Sequence, residues 1–448
     1  MAGPGAAGIG DDYFPLDGNG GYDVKRYDVH VAYDFRTAHL SGWTRLTLRT
    51  TEDLSRFNLD FLLPVTAVRV AGRPAGYTRP VRHELQITPS SPLRRGTRAR
   101  VLVRYAGYPR RYTYAGESNW LAGAGEVVAM NQPHMAPWWF PGNDHPLDRA
   151  RMDVHVTVPA GRQVVSNGVL AGCRRHGDRT TWHWRAREPM VPYLAFFAAG
   201  RFEIEQGRVR HGRLRGLPWL VAVSRDVPAP LRPGLMRLMR RSPAVVGWLS
   251  AELGRYPFSS TGGLVTGLDP GFALENQTRP TYPAVAPGSV GLVVHELAHQ
   301  WFGDDVAVRH WKDIWLNEGF ATYMEHRYAE THGGRSTASW LRARYDSLPP
   351  SNRFWALSLA DPGPGHLFDS PVYLRGAMAL AALRDRIGEP DFRVLLRTWV
   401  RRHGGRTGST DQFRALASAV SGEELAGFFD AWLVARAKPA DTAANGLG

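Results

Sequence analysis

A single change of hydrophobic period, near Gly207, constrains the fold more than any other feature of the chain. Up to about Phe202 apolar and polar residues alternate, as in Tyr27-Asp28-Val29-His30-Val31-Ala32-Tyr33, Thr44 to Leu48, Arg98 to Val103, Asp153 to Val158 and Thr180 to Trp184. A period of two puts alternate side chains on one face of a strand, and turn signals such as Ser166-Asn167-Gly168 separate the runs. These residues predict an antiparallel β domain of sandwich type over 15–205. Beyond Gly207 apolar residues recur three and four apart, in Val290 to Phe302, Ile314 to Tyr328, Tyr373 to Ile387, Phe392 to Val400, Phe413 to Val420 and Leu425 to Val434. That spacing marks one face of an α-helix. Ser409-x-x-Gln412 reads as a capping box, and Gly404-Gly405 stops the helix before it. The expectation is an α+β chain whose second domain, 206–437, is mainly helical. Residues 1–14 read as a flexible lead-in, and 438–448, with no apolar period, as a disordered tail.

The 448 residues, 43% hydrophobic and 21% charged, have ordinary globular usage and room for two to three domains. A net charge of +14 raises the question of a nucleic-acid partner. Lys25, Lys312 and Lys438 are the only lysines, and the arginines occur as scattered pairs such as Arg94-Arg95 and Arg240-Arg241. With no basic tail and no recognisable binding motif, no nucleic-acid partner is expected. The longest apolar run, Val191 to Ala199, falls short of the ~18–20 residues that span a bilayer, so no membrane span is expected. The start, MAGPGAAGIGDDYFP, has neither the basic nor the apolar region of a signal peptide. The chain as written is expected in the cytoplasm, and outside it if a leader precedes this sequence. Oligomeric state has no signature in the sequence. The one cysteine, Cys173, excludes internal disulfides and cysteine-based metal sites, so any metal must be held by histidine and carboxylates.

That search ends at Val293-Val294-His295-Glu296-Leu297-Ala298-His299-Gln300-Trp301-Phe302-Gly303. On a helix His295 and His299 lie one turn apart on one face, close enough to share a tetrahedral cation. Glu296 is rotated ~100° from His295, where a base acting on a metal-activated water belongs. An isolated motif of this kind also fits an amphipathic helix with histidines at its polar edge. A third ligand decides between the two. Continuation as HExxHxxGxxH is excluded, because Phe302 and Asp305 occupy its Gly and His positions. The other solution places a Glu on a second helix, and Glu318 follows His299 after eighteen residues in Trp315-Leu316-Asn317-Glu318-Gly319-Phe320. Thr322 and Glu325, one and two turns beyond Glu318 on its face, are candidates to bond the metal-binding imidazoles from behind.

HELAHQWFG followed by WKDIWLNEGFATYMEH resembles the zinc signature of the gluzincin aminopeptidases, the family of aminopeptidase N and the leukotriene-hydrolase aminopeptidase. Asn131-Gln132-Pro133 through Phe140-Pro141-Gly142-Asn143-Asp144-His145-Pro146 is similar to the family's N-domain run. Phe272-Ala273-Leu274-Glu275-Asn276 is similar to its Gly-Ala-Met-Glu-Asn exopeptidase motif, and Val372-Tyr373-Leu374-Arg375-Gly376 to its Tyr-x-(Lys/Arg)-Gly segment. The similarity runs from about Asp12 to Val434. It implies a thermolysin-like catalytic domain, one Zn2+ per chain on His295, His299 and Glu318, Glu296 as general base, and Tyr373 as donor to the oxyanion. It further implies that Glu275 and Gln132 hold the free N-terminus of a peptide substrate. Four departures stand out: Phe272 in place of Gly, Leu274 in place of Met, Met130 in place of the first Gln of the N-domain pair, and Asp304 in place of Asn. The family's large C-terminal helical domain has no counterpart in the sequence, from which a more open cleft is expected. The competing readings are a zinc endopeptidase or epoxide hydrolase on the same scaffold, a catalytically weak peptide-binding module, and a basic nucleic-acid binder.

Overall fold

A computed structural model describes residues 2–448. The alternating segments build an eight-stranded sheet whose order is Val169–His176, Arg179–Met190, Ala150–Pro159, Tyr22–Asp34, His39–Thr50, Arg98–Gly107, Val65–Val70 and Arg73–Pro74. Val24, Tyr27, Val29, Val31 and Tyr33 of one central strand are buried, and a bulge between Val24 and Arg26 restores the alternation after one extra residue. This inner face joins Phe57, Leu59 and Ile87 of one four-stranded sheet, and Val128 and Ala198 of another, in a common core. The sheet is mixed rather than purely antiparallel, since Tyr22–Asp34 and Ala150–Pro159 run parallel. Short hairpins impose antiparallel pairing only on strands adjacent in sequence, and these two are separated by most of the domain.

The second half is helical around a smaller sheet. Phe202–Arg208, Pro218–Ser224, Thr261–Val265 and Thr281–Tyr282 pair in that order, the first pair antiparallel and the other two parallel. Its first strand straddles the expected boundary at 205/206, so the division between the two halves lies just before Phe202. The helices are α1 (Arg232–Met239), α2 (Ser242–Leu253), α3 (Val290–Ala298), α4 (Trp315–Thr331), α5 (Thr337–Ser347), α6 (Ser370–Ile387), α7 (Glu389–His403), α8 (Thr410–Ser421) and α9 (Ala426–Phe429). α8 starts in the expected capping box, with Ser409 and Gln412 each bonding the other's backbone N–H. No helix among the described residues is long and apolar enough to cross a membrane.

Both ends of the chain are packed, contrary to expectation. In the segment read as a flexible lead-in, Gly3–Pro4 pairs with Leu54–Asp60, and the Asp11 carboxylate is buried. It accepts bonds from the backbone N–H of Trp311 at 2.9 Å and of Tyr13 at 2.9 Å, and pairs with His145 at 3.1 Å. Burial alone would raise its pKa, yet these partners hold it down at about 2. The segment read as a disordered tail lies on α5 and α6. Leu447 is buried, Arg342 grips Asp441 at 2.7 and 2.9 Å, and the Tyr345 hydroxyl donates to Pro439 O at 2.6 Å. Gly446, at φ +66°, has the place of a Cβ only 2.0 Å from Ala382 O, an approach only glycine permits. Polar side chains bonding backbone carbonyls leave no apolar period to read.

Candidate active site and metal centre

α3 buries Val293, Val294, Leu297 and Ala298 and delivers His295 and His299 at its C-terminal end. α4 brings Glu318 to them from its first turn. The Oε2 atom of Glu318 is 3.3 Å from Nε2 of His295 and 3.3 Å from Nε2 of His299, with all three side chains buried. A tetrahedral ion with ligand bonds of ~2.0–2.1 Å has ligand-to-ligand edges of about 3.3 Å. The donor set and its spacing therefore fit zinc. The remaining ring nitrogens are committed elsewhere: Nδ1 of His295 lies 2.7 Å from Glu325 Oε1, and Nδ1 of His299 lies 3.0 Å from the Phe302 carbonyl. Such bonds fix the rings so that both Nε2 atoms face Glu318. Burial would raise the Glu318 pKa, but His299 and His295 hold the carboxyl down at about 2.

Glu296 points into the same cavity, of about 610 Å³, whose wall also includes Gln132, Glu275, Thr322, Glu325 and Tyr373. Burial pushes the Glu296 carboxyl up to about 8, against the pull of His295 and His299. Polar atoms of Glu275, Glu296 and His299 lie within 4.8 Å of one another. Oε1 of Glu275 accepts bonds from Gln132 Nε2 and from the Tyr193 hydroxyl, each at 3.0 Å. Thus three segments distant in sequence, one after a β-domain strand, one in a short turn at Pro192–Leu194 and one before Thr281–Tyr282, meet on one carboxylate. The ring of Tyr373, on the first turn of α6, lies 5.9 Å from the His295 ring. Burial pushes its phenol pKa well up, and Glu318, Glu275 and Glu296 push the same way, so it stays a protonated donor.

The structure thus brings His295, Glu296, His299, Glu318, Glu275, Gln132 and Tyr373 to one cleft. Of the two residues expected behind the imidazoles, only Glu325 bonds one; the Thr322 hydroxyl is buried against the cavity without a partner. Sequence reasoning missed Tyr193. Its one sequence signal is a phenol inside the apolar run from Val191 to Ala199, where a buried hydroxyl needs an acceptor. Phe272, the departure from the exopeptidase motif, stands 40% exposed at the cavity wall, and Phe368 shares that rim at 38%.

The spacing between the elements carrying Glu318 and Tyr373 is set by two glycines. A Cβ on Gly376 of α6 would sit 2.8 Å from the Gly319 Cα of α4, and one on Gly319 would sit 2.9 Å from the Gly376 Cα. Backbone cannot yield as a flexible side chain does. Gly376→Ala is expected to lower stability by about 1–3 kcal/mol through overpacking, read as a fall in the urea midpoint. An unchanged midpoint would show that the helices separate freely.

A Peptidase family M1 domain model matches residues 276–432, the stretch holding the three metal-binding side chains and Tyr373. The M1 zinc metallopeptidase of Deinococcus radiodurans is 30% identical, with a TM-score of 0.84 over 97% of this chain and 99% of that one. The chain belongs to the M1 peptidase family. A form of the Deinococcus protein bound to a Tyr-Ser-Ala substrate superposes with a TM-score of 0.85 at 29% identity, covering 97% of this chain and 100% of that one. Among curated M1 relatives, aminopeptidase M1-C of Oryza sativa subsp. japonica is 25% identical over 357 residues, 72% of this chain and 38% of its own length. Leucyl aminopeptidase of Saccharolobus solfataricus is 23% identical over 402 residues, 83% of this chain and 48% of its own. The chain spans less than half the length of these curated M1 relatives.

Proposed function

We propose that this M1 chain is a zinc-dependent aminopeptidase that hydrolyses the first peptide bond of peptides with a free N-terminus. The observation that carries the reading is the buried Glu275 carboxylate, fixed by Gln132 and Tyr193 beside Glu296 and the metal-binding histidines. A carboxylate oxygen and an amide oxygen fixed at one end of a cleft accept an α-ammonium by charge-assisted bonds. Holding that group fixes which carbonyl reaches the reacting centre. His295, His299 and Glu318 would hold the zinc, and when bound it supplies Lewis acidity that makes water nucleophilic near neutral pH and polarises a carbonyl. Glu296 takes the proton of the attacking water on its carboxylate and delivers it to the leaving nitrogen. Tyr373 donates its hydroxyl to the oxygen that gains charge. Glu275, Glu296, Glu318 and Glu325 gather negative charge in the cleft of an otherwise basic chain, which suits an ammonium and disfavours a nucleic-acid phosphate. The Deinococcus neighbour's tripeptide substrate supports the same reading.

The endopeptidase and epoxide-hydrolase alternatives make no use of a free amine. Glu275→Ala is expected to lower kcat/KM on free-amine aminoacyl substrates by about 10- to 150-fold, the worth of a hydrogen bond to a charged group of roughly 1.5–3 kcal/mol. Unimpaired cleavage of those substrates by the variant would refute the exopeptidase assignment.

A further inference from the structure

The outer face of the eight-stranded sheet, remote in sequence from every residue of the cleft described above, carries a row of three imidazoles. His155 pairs with His30 on the parallel neighbour and with His183 on the antiparallel neighbour, so the three stand side by side across three strands. Directly opposed residues on one sheet face have Cβ atoms about 4.5–5.5 Å apart. The rings stack, with centroids 3.8 Å apart between His30 and His155 and 3.9 Å between His155 and His183. Trp43, opposite His30 on the next strand, closes that end of the row at 3.8 Å. Two residues before His30 and His155 on the same strands, and therefore on the same face, Asp28 and Asp153 also oppose each other.

The two carboxylates are engaged differently. Asp153 is buried and already accepts from Arg26 at 2.7 Å, Arg185 at 2.9 Å and His183 at 2.7 Å. Asp28 is more open, and its one guanidinium partner, Arg45, is 3.5 Å away. Its Oδ1 sits 2.9 Å from Nε2 of His30 and 3.6 Å from Nε2 of His155. These values bracket the edge of about 3.3 Å of a tetrahedral zinc-type site, the edge that Glu318 makes with its two histidines. Two imidazoles and one carboxylate are also the ligand chemistry of the catalytic set, here on a surface from which an ion can enter. A cavity of about 590 Å³ lies beside the row, with His155, His183 and Cys173 in its wall.

We propose that Asp28, His30 and His155 form a second metal site, for a transition-metal dication of the zinc class, separate from the cleft. His183, held by Asp153, backs the His155 ring from the other side. The competing explanation is a salt-bridged row in which protons, not a metal, link the rings to the two aspartates.

Metal counting distinguishes the two. The full chain is loaded with one equivalent of zinc, dialysed against micromolar free Zn2+ and analysed for metal per chain, alongside H155Q and H30Q. The wild type is expected to hold two ions, each variant one, with kcat and melting temperature of at least one variant unchanged. D28N is expected to weaken the second ion's binding at least tenfold. One ion in the wild type, or a second ion retained by both histidine variants, would overturn the proposal. Because H155Q and H30Q remove different strands' ligands, misfolding of either leaves the other to decide. Co2+ as the added probe gives an independent reading, since a second tetrahedral site adds its own visible absorption in the wild type and none in H30Q.

Discussion

Glu296→Gln is expected to lower kcat by about 10²- to 10⁴-fold, the usual contribution of a positioned general base, while zinc content and melting temperature hold. The amide matches the carboxylate in shape, and Glu296 accepts no side-chain bond from any of the three metal-binding residues, so the change removes proton-accepting capacity and little else. The side chain is buried beside His299, and an uncharged replacement there costs no desolvation. Steady-state kinetics with parallel metal analysis read both quantities. Activity within threefold of wild type would mean that another group takes the proton, and loss of zinc would mean that Glu296 helps hold the ion.

Tyr373→Phe is expected to lower kcat by about 10²- to 10³-fold with KM within twofold, the signature of a bond made mainly in the transition state. The ring remains to stack beside His295, so packing is retained and only the hydroxyl is lost. Three carboxylates around the phenol keep it protonated, which preserves its role as donor. A rise in KM with kcat unchanged would instead make Tyr373 a substrate-binding group.

How far the sequence could be read depends on the range of the interactions involved. His295, Glu296 and His299 share a single helical turn, so spacing alone brings them together, and Glu318 follows on the next helix. Strand and helix identity followed from period, because one buried face imposes its repeat on each element. The small sheet of the catalytic half escaped detection, since Thr-Gly-Gly-Leu-Val at 261–265 lacks the β-branched alternation of an exposed-face strand. Parallel pairing of Tyr22–Asp34 with Ala150–Pro159 has no local signal at all. Tyr193 reaches Glu275 across 82 residues, and the Gly319–Gly376 contact joins helices that nothing in either segment links. Thr322 shows the opposite failure. Its helical position relative to Glu318 is as expected, but sharing a face does not guarantee a partner, and its hydroxyl bonds to neither imidazole. The charge of +14 led toward nucleic acid, whereas the buried groups in the cleft are mostly acidic.

The central claim, that zinc and a fixed α-ammonium together direct hydrolysis to the first peptide bond, is tested most directly by one paired assay on the wild-type chain. Zinc per chain is measured, and the same preparation is offered matched aminoacyl substrates with free and N-acetylated amines. Cleavage of the free-amine substrates alone, abolished by chelation and restored by zinc, is the predicted result. Equal cleavage of the blocked substrates, or full activity in a preparation without zinc, would contradict it.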